Sequence, residues 1–126
     1  MQLGDSATPL HRDFPENLLA QVVGYKKLIM FPPDDDHRMY AFSSRSLLPS
    51  FSPVDAEHPD YSRYPRMRGA SPLHVTLSPG EVLYLPRQWW HQVRSIDDSI
   101  SVNFWWPRGI NWVLAAGRSL MKRIQQ

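Results

Sequence analysis

Residues 18–31 carry the first strong structural signal of the chain and read Leu18-Leu19-Ala20-Gln21-Val22-Val23-Gly24-Tyr25-Lys26-Lys27-Leu28-Ile29-Met30-Phe31. Two apolar runs of strand length flank a two-residue turn that contains a glycine, and this pattern predicts a β-hairpin. If Val23 pairs with Lys26, residues that alternate along both strands share one face of the hairpin. That face carries Asn17, Leu19, Gln21, Lys26, Leu28 and Met30.

A second hairpin is predicted between Trp89 to Ser95 and Ser99 to Trp106, joined by the three residues Ile96-Asp97-Asp98. If Ser95 pairs with Ser99, the same register sets His91 opposite Asn103 on one face.

Two shorter strands are predicted at residues 73–77 and 82–85, where apolar residues surround the turn Ser78-Pro79-Gly80-Glu81. Residues 41–72 show no sustained period, so we expect a long loop with at most short helical pieces. A loop of that length inside a compact domain is usually functional.

The composition bounds the class of protein. A chain of 126 residues with 42% hydrophobic and 21% charged residues fits one globular domain. Twelve prolines favour short strands joined by turns, so we expect an all-β fold. The net charge is only +2 and the basic residues are scattered, so no nucleic-acid partner is evident. Without a basic N-terminal start or a long apolar run, we expect no membrane partner and a cytoplasmic or nuclear location.

Three side chains form a candidate metal site. His11 and Asp13 are two residues apart, and residues i and i+2 of an extended segment point the same way. His91 would complete a facial triad of two histidines and one carboxylate, which leaves open positions on Fe(II). The chain has no cysteine, so its metal ligands must be nitrogen and oxygen. On its own the His-x-Asp pair also suits a surface turn, and His74 is an alternative ligand on a predicted strand.

Lys26 indicates a binding site for an acid. It lies on a largely apolar strand face, and a buried ammonium is costly unless an anion accompanies it. The alternative is that its side chain extends to solvent. The paired tryptophans at 89–90 and 105–106 are expected to pack in the core rather than to contact a substrate.

Several segments together resemble the jumonji-C, cupin-like oxygenases that depend on Fe(II) and 2-oxoglutarate. The likeness is greatest to the asparaginyl hydroxylase that inhibits the hypoxia-inducible factor and to related small hydroxylases. The segments are Thr8-Pro9-Leu10-His11-Arg12-Asp13, Asn17 to Lys26, Phe31-Pro32-Pro33, Pro59-Asp60-Tyr61-Ser62-Arg63-Tyr64-Pro65, Pro79 to Pro86, Trp89-Trp90-His91 and Ser101-Val102-Asn103-Phe104-Trp105.

The resemblance implies a double-stranded β-helix, the cupin-like jelly roll, and a set of site residues. His11, Asp13 and His91 match the iron ligands. Lys26 matches the lysine that pairs with the distal carboxylate of 2-oxoglutarate, and Thr8 the hydroxyl that supports it. Asn17 and Asn103 match amides beside the cosubstrate and the metal. The implied chemistry uses O₂ to decarboxylate 2-oxoglutarate to succinate and to hydroxylate a C–H bond.

Family members begin well upstream of the Thr8 position, so the resemblance implies that residues 1–107 form a catalytic core without its N-terminal strand or strands. Residues 108–126 are predicted to form an amphipathic helix packed on that core, and a homodimer contact through this helix is the alternative. Its apolar face would carry Ile110, Val113, Leu114, Gly117, Met121 and Ile124.

The activity expected is hydroxylation of a side chain in a protein or peptide substrate. Lysine demethylation is an alternative within the same chemistry. A truncated or non-catalytic cupin-like binding module is the alternative outside it, and a β-sandwich that binds a sugar or metabolite is a third.

Overall fold

The computed structural model describes residues 4–43 and 50–107, which form two antiparallel β-sheets. The larger sheet has the strand order β1-β6-β3-β4 and the smaller one the order β5-β2-β7. Two short 3-10 helices, Pro33–Arg38 and Pro65–Gly69, lie outside the sheets. The strands are β1 (Ser6–Ala7), β2 (Glu16–Val23), β3 (Lys26–Phe31), β4 (Leu73–Leu77), β5 (Val82–Leu85), β6 (Trp90–Ser95) and β7 (Ile100–Trp106).

The two sheets face each other across a common core, because apolar side chains from both pack together. Leu19 and Leu85 come from the smaller sheet, and Leu28, Met30 and Leu77 come from the larger one. This arrangement confirms the predicted all-β class. The upstream strand stays a prediction, and the helix expected at 108–126, with its homodimer contact, lies outside the described residues.

The hairpin predicted for residues 18–31 is wrong. β2 pairs with β5 and β7, whereas β3 pairs with β4 and β6, so the turn at Gly24-Tyr25 carries the chain from one sheet to the other. A hairpin and a crossing between sheets have the same local pattern of two apolar runs around a short turn. The long-range strand partners decide between them, and these cannot be read from the stretch itself.

The shared face predicted for that stretch is nevertheless correct. The predicted set is buried, while Val22, Val23 and Lys27 are exposed. Because alternation along a strand depends only on its pleat, the inward residues are the same whether the strands pair side by side or face each other. The inward set is Asn17, Leu19, Gln21, Lys26, Leu28 and Met30.

The second predicted hairpin is wrong for the same reason. β6 belongs to the larger sheet and β7 to the smaller one, so His91 pairs with Met30 and Asn103 pairs with Leu19. His91 and Asn103 still line one cavity, because they approach it from opposite sheets.

The two crossings between sheets pack against each other. The Tyr25 N–H donates to Asp97 Oδ1 at 3.0 Å, and the Ile96 N–H donates to the Tyr25 carbonyl at 3.2 Å. Gly24 has φ +74°, and a Cβ there would lie 2.4 Å from the Asp98 carbonyl oxygen. Only glycine combines this backbone conformation with such a close approach at little cost.

The predicted loop is confirmed where it is described, since residues 50–72 contain only the short 3-10 helix Pro65–Gly69. It covers a second apolar core that packs outside the larger sheet. The buried members of this core are Leu10, Phe31, Met39, Val54, Ala56, Met67 and Trp90.

Among the described residues, none of the helices has the length and hydrophobicity that a membrane span requires.

A buried carboxylate secures the start of β2. Glu16 is 3% exposed and accepts hydrogen bonds from the Tyr84 hydroxyl and from the Arg87 N–H. The Trp106 ring stacks on Tyr84 with an interplanar angle of 12°. Burial, followed by the hydrogen bond to Glu16, raises the pKa of Tyr84 to about 12.

Substitutions at two glycines test the packing of the crossings. Both Gly24 and Gly80 have positive φ, but a Cβ at Gly80 meets nothing within 4 Å. Gly80→Ala is expected to lower the free energy of unfolding by about 1 kcal/mol, the cost of the backbone conformation. Gly24→Ala should cost at least about 1 kcal/mol more, because its Cβ meets backbone atoms. Equal losses in urea unfolding of the two variants would contradict the packing described.

The Tyr84 pKa predicts a pH dependence. The folded-state pKa of about 12 exceeds the ordinary value of 10.0, so the neutral phenol is stabilised. This contribution to stability is complete below pH 10 and is lost as the pH rises towards 12. ¹³Cζ NMR should show one tyrosine that titrates near 12 and disappears in Tyr84→Phe. In Glu16→Gln its pKa should fall part of the way to 10. A wild-type-like titration in Tyr84→Phe would disprove the assignment.

Candidate metal centre

Backbone pairing brings the two histidines together. His91 lies on β6, and His11 lies in the segment between β1 and β2. The His11 N–H donates to the His91 carbonyl at 3.0 Å, and the His91 N–H donates to the His11 carbonyl at 2.8 Å. This reciprocal pair fixes the two residues side by side, with ring centroids 4.3 Å apart.

Asp13 joins the histidines because the segment is extended. Its Oδ2 lies 3.4 Å from His91 Nε2 and 3.8 Å from His11 Nε2. The Gln88 N–H donates to the Asp13 carbonyl at 2.8 Å and holds the backbone. Arg12 points the other way, with its guanidinium over the Trp90 ring and paired with Asp36. The alternation predicted for His11-Arg12-Asp13 therefore holds, and the surface-turn alternative is wrong.

Each imidazole is oriented to offer Nε2. His11 Nδ1 lies 2.8 Å from the Pro9 carbonyl, and His91 Nδ1 lies 3.0 Å from the Trp89 carbonyl. A carbonyl only accepts hydrogen bonds, so Nδ1 carries the proton in both rings. In the neutral rings Nε2 then presents a lone pair towards Asp13. Such a hydrogen bond behind the ligand atom is typical of metal-binding histidines.

The three atoms fit a divalent metal ion. One ligand atom from each side chain lies within 4.8 Å of the others. Two ligands about 2.1 Å from an ion are about 3.0 Å apart at a right angle and about 3.4 Å apart at a tetrahedral angle. Binding would therefore need small inward movements only. Two neutral imidazoles and a carboxylate would face each other with lone pairs, and a cation between them removes that repulsion.

The protonation states favour a metal. Burial, followed by the charge of His91, lowers the pKa of His11. A protonated His91 would donate a hydrogen bond from Nε2 to Asp13, and this interaction lowers the pKa of the Asp13 carboxyl. Metal binding needs a neutral imidazole and an ionised carboxylate, and both shifts favour those forms.

A cavity of about 180 Å³ lies beside the metal ligands, between the sheets. Lys26 reaches it from β3, is 7% exposed, and donates from Nζ to Ser101 Oγ at 2.6 Å. Burial lowers the pKa of Lys26. The alternative in which this side chain extends to solvent is wrong. A buried ammonium whose neighbour is a neutral hydroxyl still lacks a counter-charge, and an anionic ligand would supply it.

The other predicted cosubstrate residues line the same cavity. Asn17 is 5% exposed, and its Oδ1 is buried without a hydrogen-bond partner in the described part of the chain. Thr8 Oγ1 accepts from the Val93 N–H at 3.0 Å, which fixes the hydroxyl at the cavity wall. Asn103 contributes from β7 and is exposed. The unpaired amide oxygen of Asn17 calls for a hydrogen-bond donor such as a bound water or hydroxyl, so this part of the cavity wall is polar.

Three residues of the site were not predicted from the sequence. Ser101 holds Lys26, and Phe51 stacks on His11 with an interplanar angle of 20°. Trp105 lines the cavity and is 62% exposed, so the expectation that it packs in the core is wrong. Trp90, in contrast, is fully buried. Alternation along β7 places Ser101, Asn103 and Trp105 on one face, so this pattern could have identified Ser101 and Trp105 together with Asn103.

His74 is not part of the centre. It lies on β4, is exposed, and pairs with Ile29 on the outer face of the larger sheet. Among the described residues, the cluster of metal-ligating side chains within bonding reach is His11, Asp13 and His91.

Comparison with known proteins assigns the chain to a family. Residues 1–111 match the model of the cupin-like domain. The chain belongs to the cupin-like JmjC domain family. The predicted family is therefore confirmed, while the particular likeness to the asparaginyl hydroxylase stays a prediction.

Similar proteins include three named relatives. The chain is 44% identical over 101 residues to lysine-specific demethylase 8 of Xenopus tropicalis, which is 80% of this chain and 23% of that protein. It is 41% identical over 101 residues to lysine-specific demethylase JMJ30 of Arabidopsis thaliana, covering 80% and 23%. It is 42% identical over 104 residues to human HSPB1-associated protein 1, covering 78% and 21%. The chain thus spans about a quarter of the length of these relatives.

Solved structures that are similar to this chain include that of Escherichia coli ycfD. The two align with a TM-score of 0.48 at 16% identity, over 94% of this chain and 27% of that chain.

Metal titrations test the ligand set. Asp13→Ala and His91→Ala are each expected to weaken Co(II) binding by more than about a hundredfold in calorimetry. Loss of an outer hydrogen bond to a ligand already costs 10–100-fold, and loss of a ligand should cost more. His74→Ala is the matched control and should bind like the wild type. An unchanged affinity in His91→Ala, or a loss in His74→Ala, would be incompatible with the centre described.

Proposed function

We propose that this chain forms the catalytic core of an oxygenase that depends on Fe(II) and 2-oxoglutarate. The observation that supports it is that a candidate metal site and a buried lysine line the same cavity. Three metal-ligating side chains lie within 4.8 Å of one another, and a buried lysine lines the same space. Two histidines and one carboxylate leave positions open on Fe(II) for other ligands. A lysine beside those positions suits a cosubstrate that carries a second, distal carboxylate.

The residues of the chain would divide the work in a simple way. His11, Asp13 and His91 hold the metal, with the Pro9 and Trp89 carbonyls fixing the two rings. When bound, iron with 2-oxoglutarate and O₂ supplies oxidation of a C–H bond, coupled to decarboxylation of 2-oxoglutarate to succinate and CO₂.

The cosubstrate residues would act by placement. Lys26 pairs with the distal carboxylate and is itself oriented by Ser101. The Thr8 hydroxyl and the Asn17 amide complete the polar wall. Because the sheets exclude most water from Lys26, its charge acts on the cosubstrate with little screening.

Hydroxylation of a protein or peptide side chain is the reaction favoured. Trp105 and Asn103 are the exposed residues of the cavity wall and would contact the substrate. Lysine demethylation is the second candidate, because two relatives are named lysine-specific demethylases. A methylated ammonium is best held by acids or an aromatic cage. Among the described residues that line the cavity, the only carboxylate is the metal ligand Asp13, and Lys26 would repel a cation.

The two neighbouring lysines of β3 provide a matched test. Lys26 faces the cavity and Lys27 faces outwards. We expect anaerobic addition of Fe(II) and 2-oxoglutarate to wild-type chain to give a visible charge-transfer band, and air to give succinate. Lys26→Met should weaken 2-oxoglutarate binding by about 10–100-fold, the value of a charged hydrogen bond. Lys27→Met should behave like the wild type.

The outcomes separate the candidates. A band without succinate, even with substrate peptides present, would favour the non-catalytic binding module. Formaldehyde released from methyl-lysine peptides would favour demethylation over hydroxylation. Absence of the band, or equal loss in the Lys26 and Lys27 variants, would overturn the proposal. Ligand binding that chelators leave unchanged would favour the metabolite-binding β-sandwich.

A further inference from the structure

The outer face of the larger sheet carries a second cavity that the proposed function does not use. Its volume is about 380 Å³, larger than the cavity beside the metal ligands. Strands β6, β3 and β4 form its floor, and the loop around Glu57 and His58 forms a wall. Across the strands, Lys27 pairs in register with Arg94 on one side and with Thr76 on the other.

The acid in this cavity is already neutralised. Glu57 accepts from Arg94 Nε and Nη2 through both carboxylate oxygens, at 2.8 Å for each oxygen. Arg94 Nη1 also donates to Asp5 Oδ1 at 2.7 Å. Asp55, next on the loop, lies outside the cavity wall and accepts from the Gln92 side chain at 3.2 Å. No carboxylate that lines the cavity is therefore left without a cation.

Lys27, in contrast, has no counter-charge. Within the described residues no carboxylate lies at ion-pair distance from its ammonium, since the ion pairs of this region belong to Arg94. Arg94 stands directly opposite on the neighbouring strand, but Glu57 and Asp5 already pair with its guanidinium. Among the described residues that line the cavity, Lys27 is therefore the cation that remains for an anion.

Further hydrogen-bond donors line the cavity around Lys27. Thr76 is its direct cross-strand neighbour, so the Cβ atoms are about 4.5–5.5 Å apart. His74 is one pair further along β4 on the same face, and His58 closes the cavity from the loop. One ammonium, one hydroxyl and two imidazoles can together donate to several oxygens of one group.

We propose that this outer cavity binds a phosphate monoester. Such a group carries a charge of about −1.5 to −2 near neutral pH and three strong acceptor oxygens. The charge matches the unpaired ammonium of Lys27, and the oxygens match the hydrogen-bond donors around it. The site is distinct from the metal centre, because Lys26 and Lys27 point to opposite faces of β3. It does not depend on the proposed oxygenase activity.

NMR titration of the metal-free, full chain with inorganic phosphate tests the proposal. The amide signals of Thr76, His74 and Arg94 are expected to shift and saturate together. Lys27→Gln should weaken the apparent affinity by about tenfold or more, because it removes the charged donor. Arg87→Gln removes an exposed cation outside the cavity and is the matched control, which should bind phosphate like the wild type. Lys27 is exposed, so its substitution is not expected to disturb folding.

A gain-of-affinity variant provides an independent check. Glu57→Gln removes the acid that neutralises Arg94 and should tighten phosphate binding by several-fold. Equal affinity in Lys27→Gln and wild type, or an equal loss in Arg87→Gln, would overturn the proposal, as would weaker binding by Glu57→Gln. Glycerol phosphate and a phosphoserine peptide then distinguish a free metabolite from a modified protein as the source of the group. The tighter of the two identifies the source, and binding of neither would contradict a monoester site.

Discussion

The reciprocal backbone hydrogen bonds between His11 and His91 are the constraint on which the site depends. These two residues lie in distant parts of the sequence, and the bridge between them continues the pairing of the N-terminal segment with strand β6 that begins at β1 and Thr8. Closing so long a loop costs conformational entropy, which the surrounding β1–β6 and β3–β6 pairings must offset. Once the bridge forms, alternation along the extended segment delivers Asp13 to the same place. The grouping of these three candidate ligands is thus a consequence of strand pairing rather than of a local motif.

The two faces of strand β3 line chemically different cavities. Its inward residues Lys26, Leu28 and Met30 form part of the core and of the wall of the cavity beside the candidate metal ligands, while Lys27 and Ile29 face the outer cavity. A slip of one residue in its register would exchange the two lysines and destroy both arrangements at once. The apolar pairs on the inner face prevent this slip, because it would expose Leu28 and bury Lys27.

The sequence allowed the strands and the grouping of His11, Asp13 and His91 to be predicted, but not the way the strands pair. Alternation is a local property, so the bounds of β4 and β5 and the inward position of Lys26 followed from it. Whether Gly24-Tyr25 closes a hairpin or crosses between sheets depends on partners elsewhere in the chain. The contact from Ser101 to Lys26 is of the same kind, because it joins opposite sheets. Trp105 is exposed because little of β7, the edge strand of the smaller sheet, is covered. The sequence of β7 alone does not encode how much of the strand is covered.

The central claim is that three side chains meet around one metal ion between the sheets. The most direct test is an anomalous X-ray diffraction map at the manganese edge, from crystals grown without oxygen in the presence of Mn(II) and 2-oxoglutarate. The account predicts one strong peak within bonding distance of His11 Nε2, Asp13 Oδ2 and His91 Nε2, with the distal carboxylate of 2-oxoglutarate against Lys26 Nζ. A peak held by other side chains, such as His58 or His74, or no peak between the sheets at all, would contradict it.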